Sequence, residues 1–310
     1  MHGHRLPVDA LALTMMVVLC VIWGFQQITI KWAIEGISPL LQAGLRSLIA
    51  LVLLLAWARL RGIPLFRRDG TLISGLIAGV LFAGEFMFIY AGLAHTNASR
   101  MIVFVYLAPC VAALGLTWLV PAERLDPRQW AGVLVAFGGV ALAFAEGFGS
   151  GARATLLGDL YGVIGAVFWG ATTVLIRVTR LARASATKTL FYQLAVSAAA
   201  LPLASFLAGE SGIGEVSFKV AASLAYQGVI VAFASYLAWF WLLAHYLGAR
   251  ISVFSFLTPL FGVMFGVVLL SEPLSAAFLG AALLVGAGIA LVNLPRRQKL
   301  RPGAKGKPLS

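Results

Sequence analysis

Charge is scarce in this sequence. Only 11% of its 310 residues are Asp, Glu, Lys or Arg, while 61% are hydrophobic. A soluble domain carries about 25% charged and about 45–50% apolar residues, so this chain cannot hide its apolar surface in one core and must take lipid as its solvent. Cysteine is nearly absent. The two present, Cys20 and Cys110, both lie inside apolar runs, which gives no disulfide framework and no thiol motif for metal or redox chemistry. Also missing are His-Glu-x-x-His, a serine nucleophile with a histidine at depth, and a phosphate-cradling P-loop. Gly158-Asp159 sits at a helix start and has no second membrane aspartate to form an aspartyl pair. No cofactor or metal is expected, and an intramembrane enzyme is a remote alternative.

What the sequence does contain is apolar runs, near 9–33, 38–59, 71–93, 97–119, 128–145, 156–177, 187–208, 219–244, 250–271 and 276–294. A spanning helix needs roughly 20 apolar residues, so about ten spans with short loops consume the length and leave no soluble catalytic domain. Breakers separate the runs: Ser38-Pro39, Arg67-Arg68-Asp69-Gly70, Asn97, Asp126-Pro127, the glycine-rich 147–151 and Ser275. Asp126 can cap the next helix with Pro127 at its first position, where a missing N–H costs little. The first run continues past Gln26 without a small-residue cleavage site and reads as a retained helix.

The net charge of +12 lies in short loops and in a basic tail, 295–310, carrying Arg296, Arg297, Lys299, Arg301, Lys305 and Lys307. Placing the N-terminus in the cytoplasm puts 18 of the 23 Lys and Arg on that side. The other side keeps Lys31, Arg100, Arg153 and Lys219, and Arg46 lies within a span. This asymmetry predicts a multi-pass protein of a bacterial-type inner membrane with both termini cytoplasmic. The expected partner of the basic residues is anionic lipid headgroups, not nucleic acid.

The chain also repeats itself. Val21-Ile22-Trp23-Gly24 returns as Val167-Phe168-Trp169-Gly170, and Leu93-Ala94-His95 as Leu243-Ala244-His245. Arg100 matches Arg250, Pro109 matches Pro259, Glu123 matches Glu272, and Gly132 and Gly138 match Gly280 and Gly286. Apolar segments resemble one another by default, so the ordered recurrence of these polar and special residues carries the argument. Five runs per copy, 9–145 and 156–294, is an odd number, so the second copy must enter the membrane inverted. The predicted fold class is an all-α integral membrane protein of ten transmembrane helices in two inverted five-helix repeats.

Trp23-Gly24, Tyr90, Ala98, Pro109, Glu123 and Gly132, with Trp169-Gly170, Pro259, Glu272 and Gly280, resemble the pattern of EamA-type transporters of the drug/metabolite transporter superfamily. The resemblance covers nearly the whole chain as two copies. It implies a ten-helix exporter or importer of small metabolites with a cavity between the halves, and its two-copy form implies that a monomer suffices. Phe240 stands where the family usually has tyrosine, so no role is carried to it. The function expected is secondary active export of small metabolites by alternating access. A channel or passive facilitator is the alternative.

Candidate site residues are the polar ones at depth. Glu85 lies mid-way along the third run, where an ionisable group costs about 2.5–3.5 kcal/mol on insertion scales. It reads as a proton-coupling site, as a partner for a substrate amine, or as half of an internal ion pair with Arg46. Arg46 reads either as a fork for a substrate carboxylate or as a side chain snorkelling to the headgroups. Together they would favour zwitterions such as amino acids. Trp23, Gln26 and Gln27 share a face of the first helix, and Trp169, Thr172 and Thr173 occupy equivalent places in the sixth. They read as pocket lining or as helix packing. Tyr106, Ser235 and Trp239 are further pocket candidates. Pro109 and Pro259 are expected to shape their helices, His95 and His245 to meet last-turn carbonyls, and Glu123 and Glu272 to cap or brace loop ends.

Overall fold

A computed structural model describes residues 9–121, 124–149, 153–246 and 257–293. Over these residues the chain is helical throughout, with no strand beyond a single antiparallel bridge between Ile37 and Ile213. The helices are α1 (Ala10–Ala33), α2 (Pro39–Leu60), α3 (Leu72–Leu93), α4 (Ala98–Val105), α5 (Ala108–Leu119), α6 (Pro127–Gly149) and α7 (Arg153–Val178). They continue as α8 (Ala186–Leu207), α9 (Phe218–Ala225), a π-helical stretch Tyr226–Ser235, α10 (Tyr236–His245), α11 (Leu257–Leu270) and α12 (Ala276–Asn293). Arg250, Glu123 and the tail 295–310 lie outside the described residues.

Eight helical segments among the described residues are long and apolar enough to cross a membrane. Two of them are composite: Ala98–Leu119 joins α4 to α5, and Phe218–Trp239 runs from α9 through the π stretch into α10. Two shorter apolar helices, Leu257–Leu270 and Ala276–Val292, follow. Val52, Ile73, Val80, Leu134 and Leu283 are each more than half exposed on the outside of the bundle. An apolar surface this extensive is stable only against acyl chains.

Local chemistry explains where helices begin. The Asp9 carboxylate accepts the Ala12 N–H at 2.8 Å to start α1. At α6 the Asp126 carboxylate accepts from the Gln129 N–H (2.9 Å) and the Gln129 amide oxygen accepts from the Asp126 N–H (3.2 Å), a reciprocal capping box ahead of Pro127. One run departs from the sequence expectation. The fourth, 97–119, is not one helix: it breaks at Tyr106-Leu107, with Pro109 in the first turn of α5. Proline cannot donate into the preceding turn, so the chain restarts its helix there.

The bundle is packed in pairs. α1 lies on α11, and α7 lies on α4 and α5; α2 lies on α8, and α6 on α12. α3 contacts both α7 and α8, while the π stretch contacts α1 and α2. Glycine sets the closest approaches. A Cβ on Gly24 would meet Phe261 Cβ and Gly262 N of α11 at 2.9 Å, and one on Gly170 would meet Val111 of α5 at 2.6 Å. The two Trp-Gly pairs thus provide the same small step at two crossings. Gly44 does the same for α2 and α8, where Pro202 Cδ would stand 2.5 Å from an added Cβ.

Candidate functional site

Between α1, α2, α3 and the π stretch the bundle holds a group of polar side chains with almost no exposure. Arg46 projects from α2 and is 0% exposed. Its guanidinium carbon lies 3.7 Å from the centroid of the Phe86 ring, and none of its three side-chain nitrogens has a hydrogen-bond partner. It therefore does not snorkel. Glu85, one residue before Phe86 on α3, is buried within Coulombic reach of Arg46, but no direct ion pair joins them. The Tyr90 and Tyr236 hydroxyls stand near the guanidinium.

One turn from Arg46 on α2, Gln42 is also fully buried. Its Nε2 donates to the Ile30 carbonyl (3.4 Å) and to Gln227 Oε1 (3.3 Å), and that same Oε1 accepts the Tyr90 hydroxyl at 2.8 Å. Gln42 Oε1, Gln227 Nε2 and Gln27 Oε1 are buried without partners. A buried polar atom left unpaired costs about 1–3 kcal/mol, and more if charged. Gln42, Gln227 and Arg46 leave such atoms side by side, which marks a place built to receive a polar group.

Other expected site residues form pairs of their own. The Trp23 indole N–H donates to Ser235 Oγ at 2.9 Å, and the Trp23 ring stands edge-on to Trp239 at 5.9 Å. Tyr106 and Trp169 make a second edge-on pair at 5.4 Å. Gln26 is buried. The Thr172 hydroxyl donates to the Phe168 carbonyl (2.9 Å), and the Thr173 hydroxyl to the Trp169 carbonyl (3.0 Å). Thr173 is exposed and is not brought into the buried group. Pro259 is buried near the start of the described part of α11. The His245 Nδ1–H donates to the Trp241 carbonyl at 2.8 Å, the last-turn contact expected of it, while His95 packs edge-on to Tyr161.

Sequence reasoning missed Gln42, Gln227 and the charges at the bundle end away from Asp9, which we term the distal end. Arg100, expected to flank a span, is buried in α4. Its guanidinium donates to Asp159 through Nε (3.0 Å to Oδ2) and Nη2 (2.6 Å), to Glu146 (3.2 Å) and to the Ala143 carbonyl (3.1 Å). Asp159, fully buried, also accepts the Thr96 hydroxyl at 2.6 Å, and Ser275 donates to Glu146. Glu272 does act as a cap: it accepts the N–H of Ala98 (2.6 Å) and of Ser99 (2.9 Å) at the start of α4. The available signal was ionisable residues clustered at the starts of the fourth and sixth runs.

The proximal end, where α1 starts, is clasped differently. Lys188 Nζ donates to the Asp69 carboxylate (2.8 Å) and to the Arg67 carbonyl (2.6 Å). That ammonium, helped by the Thr71 hydroxyl, holds the Asp69 carboxyl well below its ordinary range. The Tyr246 hydroxyl donates to Asp9 at 3.0 Å.

Comparison with known proteins places this architecture. The EamA-like transporter family matches the chain twice, over residues 10–145 and 156–294. The uncharacterized transporter YvbV of Bacillus subtilis is 28% identical over 293 residues, covering 93% of each chain. A probable amino-acid metabolite efflux pump of Salmonella typhimurium is 25% identical, covering 87% of this chain and 90% of its own. The uncharacterized inner membrane transporter YedA of Escherichia coli is 25% identical, with 83% and 82% covered. One crystal structure superposes with a TM-score of 0.65 at 22% identity, covering 92% of this chain and 98% of the other, and supports the fold.

Proposed function

The chain belongs to the EamA-like transporter family, and from that premise we propose that it is a secondary active exporter of small metabolites working by alternating access. It is a membrane transporter rather than an enzyme. Ten spans in two inverted repeats, 9–145 and 156–294, carry the mechanism. The packing supports this reading: exchanging α1 with α7, α2 with α8, α3 with the α9–π–α10 span, α4–α5 with α11, and α6 with α12 turns the principal contacts into one another. An inner-membrane location is supported by the name of the Escherichia coli relative. With the proximal end cytoplasmic, Arg61, Arg67 and Arg68 face anionic headgroups. A monomer contains both halves of the site.

The observation that carries the proposal is the fully buried Arg46 without hydrogen-bond partners, beside Glu85, where residues of both repeats converge. One acid and one base buried at mid-depth suit a zwitterion such as an amino acid, with Trp23, Tyr106, Trp169 and Trp239 as aromatic walls along its path. The relatives named as amino-acid metabolite efflux pumps point the same way. Rocking of one repeat against the other would open the hollow between them to each side in turn. The test is flux of radiolabelled amino acids in proteoliposomes, with and without a pH gradient. Saturable flux and counterflow are expected, with the gradient-driven component lost in Glu85→Gln. Non-saturable flux would favour a channel, and no flux of any amino acid would sink the substrate assignment.

A further inference from the structure

The buried polar group contains more than the two charges. Its hydrogen bonds assign the orientation of two amides. The Ile30 carbonyl can only accept, so the Gln42 atom facing it is Nε2, a donor. The same Nε2 faces Gln227, whose contacting atom must then be the acceptor Oε1, and the Tyr90 hydroxyl donates to that oxygen as well. Gln227 is thereby held with its Nε2 donor free, and Gln42 with its Oε1 acceptor free; both residues are 0% exposed. Arg46, four residues along α2 from Gln42 and so on the same helix face, adds three further nitrogens without partners. The π-helical winding begins at Tyr226, immediately before Gln227, and such windings recur at functional sites.

Among Arg46, Gln42 and Gln227 the unpaired donors dominate: three nitrogens of Arg46 and one of Gln227 against the one amide oxygen of Gln42. A planar oxyanion satisfies such a set, because a guanidinium fork matches a carboxylate edge and leaves lone pairs for an amide N–H. We propose that Gln227 is a specificity-determining residue whose amide N–H joins Arg46 in binding the carboxylate of the carried solute. Tyr90 and Gln42 are its positioning residues. This inference rests on the reading that the solute occupies the hollow between the repeats. It adds which half of that solute is read by the second repeat.

Acetate is the minimal probe, with acetamide as its neutral isostere and chloride as a point anion at equal ionic strength. Thermal unfolding of the full-length protein in detergent, followed by tryptophan fluorescence, reports binding. Acetate is expected to stabilise the wild type where acetamide and chloride do not. Gln227→Met should weaken the apparent acetate affinity about tenfold, the size of one hydrogen bond to a charged group. Tyr90→Phe should weaken it about threefold while leaving the unliganded protein folded. Should Gln227→Met not fold, the near-isosteric Gln227→Glu serves, and it should abolish the acetate response by placing like charge there. A wild type that answers acetate, acetamide and chloride alike overturns the proposal, as does a folded Gln227 variant with wild-type acetate affinity. Acetate discrimination without amino-acid flux in proteoliposomes would instead count against the transport reading alone.

Discussion

Replacing Asp159 by leucine removes the main partner of a buried guanidinium. Arg100 is 7% exposed and Asp159 is 0% exposed, and the two are joined through both Nε and Nη2. After the substitution Arg100 keeps Glu146 and the Ala143 carbonyl, and the Thr96 hydroxyl loses its acceptor. Removing one member of a buried pair costs about 3–5 kcal/mol, chiefly because a charge is left uncompensated. Glu146 remains close, so about 3 kcal/mol is the expected loss. Removing both charges, with Arg100→Met and Asp159→Leu together, eliminates the stranded ion and should restore stability to within about 1 kcal/mol of the wild type. Reversible unfolding in mixed micelles at increasing SDS fraction measures all three variants. A single substitution costing less than about 1 kcal/mol, or a double variant costing the sum of the singles, would refute the reasoning.

Three further outcomes follow from the same geometry. Glu272→Ala strips the cap from Ala98 and Ser99 and should cost about 1–2 kcal/mol in the same unfolding assay, whereas Glu272→Gln should recover part of it. Gly44→Ala drives a Cβ into Pro202, so overpacking of the α2–α8 crossing should cost about 1–3 kcal/mol; a neutral effect would show that the crossing is loose. The Asp69 carboxyl is depressed by Lys188, so its contribution is complete above the ordinary value of 3.8 and is lost only as pH falls through the lower folded value. A nitroxide at exposed Phe66, in the same loop, should give one spectrum from pH 8 to pH 5 and gain mobility only in stronger acid. A transition between pH 5 and 7 would contradict that clasp.

Helices were legible because lipid imposes a length and a composition that apolar runs display directly. Caps were legible too, since the chemistry of Asp126-Pro127 is local in the sequence and Glu272 stands at a run's end. The break at Tyr106-Leu107 was half legible: Pro109 announces a distortion, but not whether the helix bends or restarts. What stayed hidden depends on which face of each helix turns inward. Gln42 and Gln227 are 185 residues apart, and each looks like an isolated polar residue in an apolar run until packing brings them together. Arg100 resembled an ordinary flanking charge because Asp159, its partner, belongs to the other repeat. The π winding at Tyr226–Ser235 has no sequence signature, since its register is set by what it packs against.

The central claim is a polar hollow reached from each side of the membrane in turn. Gln26 reaches it, buried on α1 beside the Tyr90 hydroxyl that bonds Gln227. A single cysteine at that position, with Cys20 and Cys110 replaced by alanine, can be challenged with a membrane-impermeant maleimide in intact cells and in inverted vesicles. Alternating access predicts labelling from both faces, slowed from each by the transported solute. Labelling from one face only, or from neither, would contradict it.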